Sequence, residues 1–577
     1  MKNFFIVILL FAAQFTFAQH APEPGHPVLK NALKKINQFN TSEKRIDSLS
    51  GLPLGLHGAA EAKRRYDFFV LLDDEIRGIK KTELSFEDEI NAELLLYSFE
   101  DDISDFRFKT YLNPILSEGG FHTNITGMSN TLIRNKKDAD AYLEKLNDIP
   151  RYMEEHFALM REGLKIGIAQ PYDVVKSFNN TYEIHIVSQP EQSIFWKPFA
   201  KKPNNITEAE WQTIVTNAKN VVMNKVVAGY RSVKLFFESE YLTKAPKKPG
   251  VLYFPDGMQF YQDRVAHFTT TDLTYDSIFN IGLQEVARIK AAMFKVKEDV
   301  GFKGDMKSFI EMLRTDPKFY PKTGEDLLKE ASFIAKKIDG KLPVLFGRLP
   351  RQPYGVEPVP EAIAPTYTAG RYSGASIKST RAGNYWVNLY NLPSRTLYTL
   401  EALTLHEAVP GHHLQMALTQ ELENLPTFRR NLYVNAFGEG WGLYAESLGY
   451  EIGLYKDPYS RFGQLTYDMW RACRLVIDVG IHAKGWSRLE AVDYLAENTA
   501  LSMHEVNTEI NRYIAWPGQA LAYKMGELKI KELRKRAELS LGDKFDVRKF
   551  HDTLLSEGTL TLRLMDKLID RYIEVNK

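Results

Sequence analysis

His406-Glu407-Ala408-Val409-Pro410-Gly411-His412-His413-Leu414-Gln415 places three of the chain's thirteen histidines within eight residues. In the shorter pattern His-Glu-x-x-His, two imidazoles one helical turn apart share a zinc ion while the Glu addresses its water. Here the second histidine comes six or seven residues on, at His412 or His413. On a straight helix the i+7 position returns to within about 20° of the first but lies about 10.5 Å along the axis. A zinc whose nitrogen ligands sit at about 2.0–2.1 Å cannot bridge that span. A metal site therefore requires a broken helix, and Pro410-Gly411 supplies the break: Pro disrupts the backbone ladder and Gly tolerates unusual dihedrals. The same ten residues also fit a plain helix end whose histidines cap or pack the next helix.

Working outward, helical periodicity with few breakers runs over Asp140 to Leu164, Glu208 to Leu242 and Ser277 to Lys297, and resumes from Arg395 to the C-terminus. Two breaker-rich segments interrupt it, Ala245 to Gly250 and the Pro-rich Gly347 to Pro365. They divide the chain into an N-terminal helical lobe, 19–245, an intermediate region, 246–365, and a helical catalytic lobe, 366–577. Val251 to Phe254, Leu342 to Phe346 and Asn384 to Tyr390 read as short strands. The fold class is thus mainly α, with a small β-sheet beside the motif.

The 577 residues are 44% hydrophobic and 25% charged, a composition that supports a large core. Lys plus Arg number 74 against 73 Asp plus Glu, so no global field attracts nucleic acid or an anionic membrane. Lys2 and an apolar run from Phe4 to Phe17, ending in Thr16-Phe17-Ala18, read as a signal peptide (1–18) cleaved after Ala18. The run is too short for a membrane span, no Cys follows it for lipid attachment, and no later segment resembles a membrane helix. The expected location is periplasmic or secreted, with no stable membrane insertion after cleavage. The single cysteine, Cys473, forms no internal disulfide and removes every Cys-based zinc motif.

The stretch His406 to Gln415 resembles the signature of the family catalogued as domain of unknown function 885, as does Gly438-Glu439-Gly440-Trp441-Gly442-Leu443-Tyr444-Ala445-Glu446. The resemblance extends over most of the mature chain, including Leu252 to Gly257, Ile281 to Val286, Asp478 to Trp486 and Pro517 to Tyr523. It implies metallopeptidase-like chemistry and a two-lobed, helix-dominated enclosure without naming a substrate. Glu439 is similar in context to the glutamate ligand of zinc aminopeptidases, which implies the metal set His406, His412 and Glu439. Gly411-His412 matches the Gly-His ending of related motifs in helical oligopeptidases, which favours His412 over His413. Glu446, seven residues past Glu439 on the same helical face, is the rival ligand or a carboxylate that orients a histidine.

Three protein ligands leave a fourth position for water, the open geometry of a catalytic zinc, with Glu407 as general base. Tyr523, in a Gly/Ala/Tyr segment similar to that near the site of helical zinc oligopeptidases, is the first candidate for oxyanion stabilisation, and His482 the second. Arg474, Arg512 and Tyr513 are candidates to hold a substrate carboxylate or line the site, and the strand at Tyr385 to Leu389 to pair with a peptide substrate as an edge, with Asn388 as a polar contact. The expected activity is peptide hydrolysis with one zinc per chain. The alternatives are a zinc hydrolase of a non-peptide amide or ester and a non-catalytic periplasmic metal- or peptide-binding protein. A di-iron bundle is disfavoured, because its paired Glu-x-x-His motif appears once, at Glu23 to His26 in the Pro-rich start.

Overall fold

A computed structural model describes residues 22–577 apart from 50 and 362; the expected leader, 1–18, lies outside the described residues. The chain is mainly helical, with two small sheets. All three long periodic stretches are helical. One helix spans Lys136–Ile166, capped by the Asn135 side chain and closed by Gly167 in the left-handed region. Another spans Tyr275–Asp299, and helical turns run without interruption from Glu208 to Lys244, passing through two π segments.

A two-stranded hairpin pairs β1 (Ile115–Leu116) with β2 (Gly119–Gly120). The second sheet, ordered β3-β5-β4, contains β3 (Tyr354–Pro358), β4 (Gly370–Ser373) and β5 (Gly383–Val387). Two other expected strands are corrected. Val251–Tyr253 is a single 3-10 turn and Leu342–Leu345 a helical turn with Pro343 near its start. Short apolar runs between breakers carry no period long enough to separate strand from buried turn, and Pro is well suited to the first helical turn.

One hydrophobic core draws on residues from Ile90 to Ile573, crossing both breaker-rich segments. Its axis is the helix Pro458–Ala483, started by Asp457, whose carboxylate accepts the Ser460 N–H, and by Pro458. This central helix is buried at nearly every position from Ser460 to His482 and packs along Tyr275–Asp299. The helix Asn435–Leu448 lies against Ala522–Leu541, where a Cβ on Gly526 would fall 1.9 Å from the Ala436 carbonyl oxygen. Only a pair of glycines, Gly440 and Gly526, lets these backbones touch. No described helix is long and apolar enough to cross a membrane.

Asp478, fully buried on the central helix, accepts bonds from Tyr261 Oη (2.6 Å) and from the Gly518 N–H (3.1 Å). Its second oxygen has no partner. Burial pushes the carboxyl up to about 7, against the pull of these donors and of Arg474. An unfolded Asp titrates near about 3.9, so between these values the folded chain holds a proton that the unfolded chain has released. The associated stability is fully present below the unfolded value and is lost as pH rises through about 7. Asp478→Asn, which keeps an acceptor and adds a donor for the unpartnered side, should gain thermal stability relative to wild type as pH rises from about 5 to about 8. Melting curves that run parallel for the two proteins would contradict this.

Candidate metal centre

The motif breaks where its residues require. One helix, Leu400–Glu407, ends at the general-base candidate, and the next, His412–Glu421, begins at the second ligand candidate. Between them the chain turns so tightly that a Cβ on Gly411 would lie 1.9 Å from the His406 carbonyl oxygen. The φ of Gly411 is −76°, so it is the close approach, not an unusual dihedral, that calls for glycine here. The turn is tied by the His413 N–H to the Ala408 carbonyl (3.0 Å) and by Trp441 Nε1 to the Pro410 carbonyl (2.8 Å).

As a result the His406 and His412 rings stand perpendicular, their centroids 4.8 Å apart. Glu439 comes from the neighbouring helix Asn435–Leu448: its Oε2 lies 3.6 Å from His406 Nε2 and 3.4 Å from His412 Nε2. Ligand atoms of the three residues all lie within 4.8 Å of one another. Tetrahedral zinc with bonds of about 2.0–2.1 Å separates its ligand atoms by about 3.3 Å. The donor set, two imidazoles and one carboxylate, and its spacing fit that ion.

The two alternatives separate cleanly. His413 faces away, bonding Tyr372 Oη (3.0 Å) and the Gln352 carbonyl (3.0 Å). Glu446 lies behind His406, with Oε1 2.9 Å from Nδ1 and 3.2 Å from Arg471 Nη2, so it directs Nε2 of His406 toward Glu439. Burial lowers the basicity of His406, but Glu439, Glu446 and Glu407 together raise it to about 10. Glu439 is held well below the usual carboxylate range by the two histidines, against its burial.

Glu407 is buried, and its Oε2 accepts the Tyr372 N–H at 2.7 Å. That N–H is on β4, the strand at the edge of the sheet nearest the motif. The expectation that the strand at Tyr385 to Leu389 supplies an open edge is corrected: β5 is central, parallel to β3 on one side and antiparallel to β4 on the other. Asn388, just past it, is fully buried; its amide donates to the carbonyls of Ala364, Tyr367 and Thr368 and accepts from the Tyr390 N–H. It pins a loop and has no group left for a substrate.

Tyr523 Oη accepts from Arg512 Nη2 at 2.9 Å, and the Arg474 guanidinium stacks 4.1 Å from the Tyr523 ring. A guanidinium only donates, so the phenol keeps its own proton to give elsewhere. Arg474 and Tyr513, both about 1% exposed, bond each other (2.9 Å), and Arg474 pairs with Glu509 (2.8 Å). Direct substrate contact for this pair is therefore corrected to a supporting role under Tyr523; Arg512, still partly exposed, bonds Tyr523 and Gln519. His482 is likewise corrected: fully buried, it accepts the Val251 N–H through Nδ1 and donates through Nε2 to the Tyr513 carbonyl, and burial lowers its pKa to about 4. Both ring nitrogens are used.

Three neighbours of the site escaped the sequence reading. Tyr433 Oη donates to Glu439 Oε1 at 3.2 Å. Tyr372 supplies the N–H on Glu407, and the exposed Arg371 beside it has its charge favoured by Tyr367, Glu407 and Glu439. The aromatic spacing around 433 and the β4 pattern carry no metal-site signature, so only the fold reveals them. A cavity of about 750 Å³, with Tyr433, Asn435, Ile115, Phe260 and Trp516 in its walls, is joined to the cluster through Tyr433, which bonds Glu439; none of His406, Glu407, His412 and Glu439 lines it. Asn435 is one helical turn from Glu439 on the same helix.

Residues 54–569 match the family described as "Bacterial protein of unknown function (DUF885)". The chain belongs to the DUF885 family. Among solved structures, this DUF885 chain is similar to a candidate lipoprotein from Colwellia psychrerythraea, at 28% identity and a TM-score of 0.84, over 95% of this chain and 99% of that one. It shares its fold with a candidate lipoprotein of unknown function from Shewanella oneidensis, at 16% identity and a TM-score of 0.69, over 94% and 98% of the two chains. No curated protein matches the chain.

For a zinc ion held by His406, His412 and Glu439, replacing Glu446 by Gln should leave the fold intact by circular dichroism and weaken the affinity by about 10–100-fold, the usual cost of losing a carboxylate that orients a histidine ligand. Chelator competition that returns the wild-type affinity would mean that Glu446 does not set the His406 ring.

Proposed function

We propose that this protein is an exported zinc-dependent metallopeptidase acting on short peptides. The observation that carries the reading is the convergence of His406, His412 and Glu439 at zinc-ligand spacing, with the Glu407 carboxylate fixed beside them. Zinc, when bound, would supply Lewis acidity to the attacking water and the scissile carbonyl.

The chain's own groups do the rest. Glu407 commits one oxygen to the Tyr372 N–H and keeps the other for the proton of the attacking water, which it returns to the leaving amine. Tyr523, its oxygen fed by Arg512, directs its proton outward to the oxygen on which charge develops. The edge of β4 offers main-chain groups to an extended peptide, and the cavity joined to the cluster through Tyr433, inside the 300–1,000 Å³ range of about one small ligand, favours short chains over folded proteins. Export rests on the leader-like N-terminus.

The test is Glu407→Gln beside wild type, with zinc measured by elemental analysis and cleavage by a mixed short-peptide library. Zinc should bind at one ion per chain in both, while kcat/KM should fall by about 10²–10⁴-fold in the variant. Zinc in both proteins with no peptide cleaved by either would move the chemistry to a non-peptide amide or ester, or to binding alone.

A further inference from the structure

A second, smaller cavity of about 110 Å³ shares Leu432 and Tyr433 in its wall with the first. Tyr433 and Gly438 form part of its wall, and these residues respectively bond and precede Glu439, so it begins where the metal centre ends. Its polar walls include Gln415 and Arg430, and no Asp or Glu lines it. Gln415 is 4% exposed, yet neither its amide nitrogen nor its amide oxygen has a hydrogen-bond partner. It stands one helical turn past His412, on the same side of that helix. Arg430 is partly exposed, but its Nε is buried without a partner, and its Nη2 reaches Thr427 Oγ1 at 3.4 Å.

Buried donors are rarely left unmet in a folded protein, and where they are, a ligand, ion or water commonly completes them. A cation and an amide donor with no acid to answer them favour an anion. The volume is far below that of a whole ligand and corresponds to a few water molecules at about 30 Å³ each, room for one carboxylate and a methylene or two. We infer that this pocket is a specificity subsite, with Arg430 and Gln415 as its selecting residues, for a small carboxylate carried by the substrate next to the bond that is cut. That carboxylate is an aspartate side chain or the C-terminus of the peptide. The inference rests on the peptidase reading, and the test separates the two.

Short peptides carrying Asp, Asn or Leu at each position in turn, each with a free or an amidated C-terminus, are presented to zinc-loaded wild type, Arg430→Met and Gln415→Glu. The expected result is a preference of at least about tenfold in kcat/KM, Asp over Asn or free over amidated end, as one charge-assisted contact of about 1.5–3 kcal/mol would give. The preference should vanish in both variants, while neutral amidated peptides are cut as by wild type. Asp selection identifies the side chain as the source, and free-end selection the terminus. Wild type that cuts peptides with neither preference, or a preference that survives both variants, overturns the subsite.

If no peptide is cut, the peptidase reading fails and the pocket is read by calorimetry. N-acetyl-aspartate amide and N-acetyl-alanine are then titrated against N-acetyl-asparagine amide as the neutral control. Binding of an anionic probe that weakens at least about tenfold in Arg430→Met keeps the subsite. Binding indifferent to Arg430 removes it, since the metal alone would then account for any carboxylate affinity.

Discussion

The contact between Gly411 and the carbonyl of His406 is the constraint on which the rest of the site depends. A histidine six residues along an unbroken helix would point away and lie more than a turn further on. Folding the chain back until the backbone of residue 411 touches that of residue 406 returns the His412 imidazole to within 4.8 Å of the first ring. Nothing larger than glycine fits, and the Trp441 indole locks the turn by bonding the Pro410 carbonyl. Since Trp441 and Glu439 share one helix, the same packing that closes the turn also brings Glu439 to the two histidines.

Behind this turn the protein buries an unusual amount of charge. Glu446 with Arg471, Arg474 with Glu509, and Lys524 with Asp468 and Glu527 all sit in the interior around the central helix. Such pairs pay heavily in lost hydration, and apolar residues of the same volume are often as stable. Their value here is directional. Glu446 sets the ring of His406, and the Arg474–Glu509–Arg512 group fixes Tyr523 through one stacking contact and one hydrogen bond. The first of these groups acts on the cluster through His406, and the second reaches Tyr523, so Arg474, which looked like a substrate contact in the sequence, lies behind another side chain.

The limits of the sequence follow from the same physics. The long helices were legible because the 3.6-residue period repeats many times over Lys136–Ile166 and Tyr275–Asp299. The break between His406 and His412 was legible because Pro410-Gly411 cannot continue a regular helix, whereas the choice of His412 and Glu439 came from the family resemblance and not from the spacing. Val251–Tyr253 and Leu342–Leu345 were misread because an apolar run of four or five residues has no period to read. His482 and Asn388 looked functional as polar residues in apolar surroundings, but that pattern equally marks a side chain satisfying buried backbone groups, as both do. Tyr433, Arg371 and Tyr372 left no local signal at all, since each reaches the centre from a loop or strand set by long-range packing.

The position of β4 joins the fold to the chemistry. A three-stranded sheet in a helical protein does little for the core, and two of its strands, β3 and β4, end at unpaired edges. Unpaired edges are a liability unless something uses them. Here one N–H of the β4 edge, that of Tyr372, is spent on Glu407, and the neighbouring Arg371 is held charged by Tyr367 and by the site's carboxylates Glu407 and Glu439. A carboxylate carried only on the end of a helix would swing with its own side-chain torsions. Tied to a strand that is itself registered against β5 from Gly370 to Ser373, it is fixed from two directions. The small sheet thus fixes the Glu407 carboxylate beside the His406, His412 and Glu439 cluster, a task for which a helix, with its backbone groups already paired internally, has no free N–H to offer.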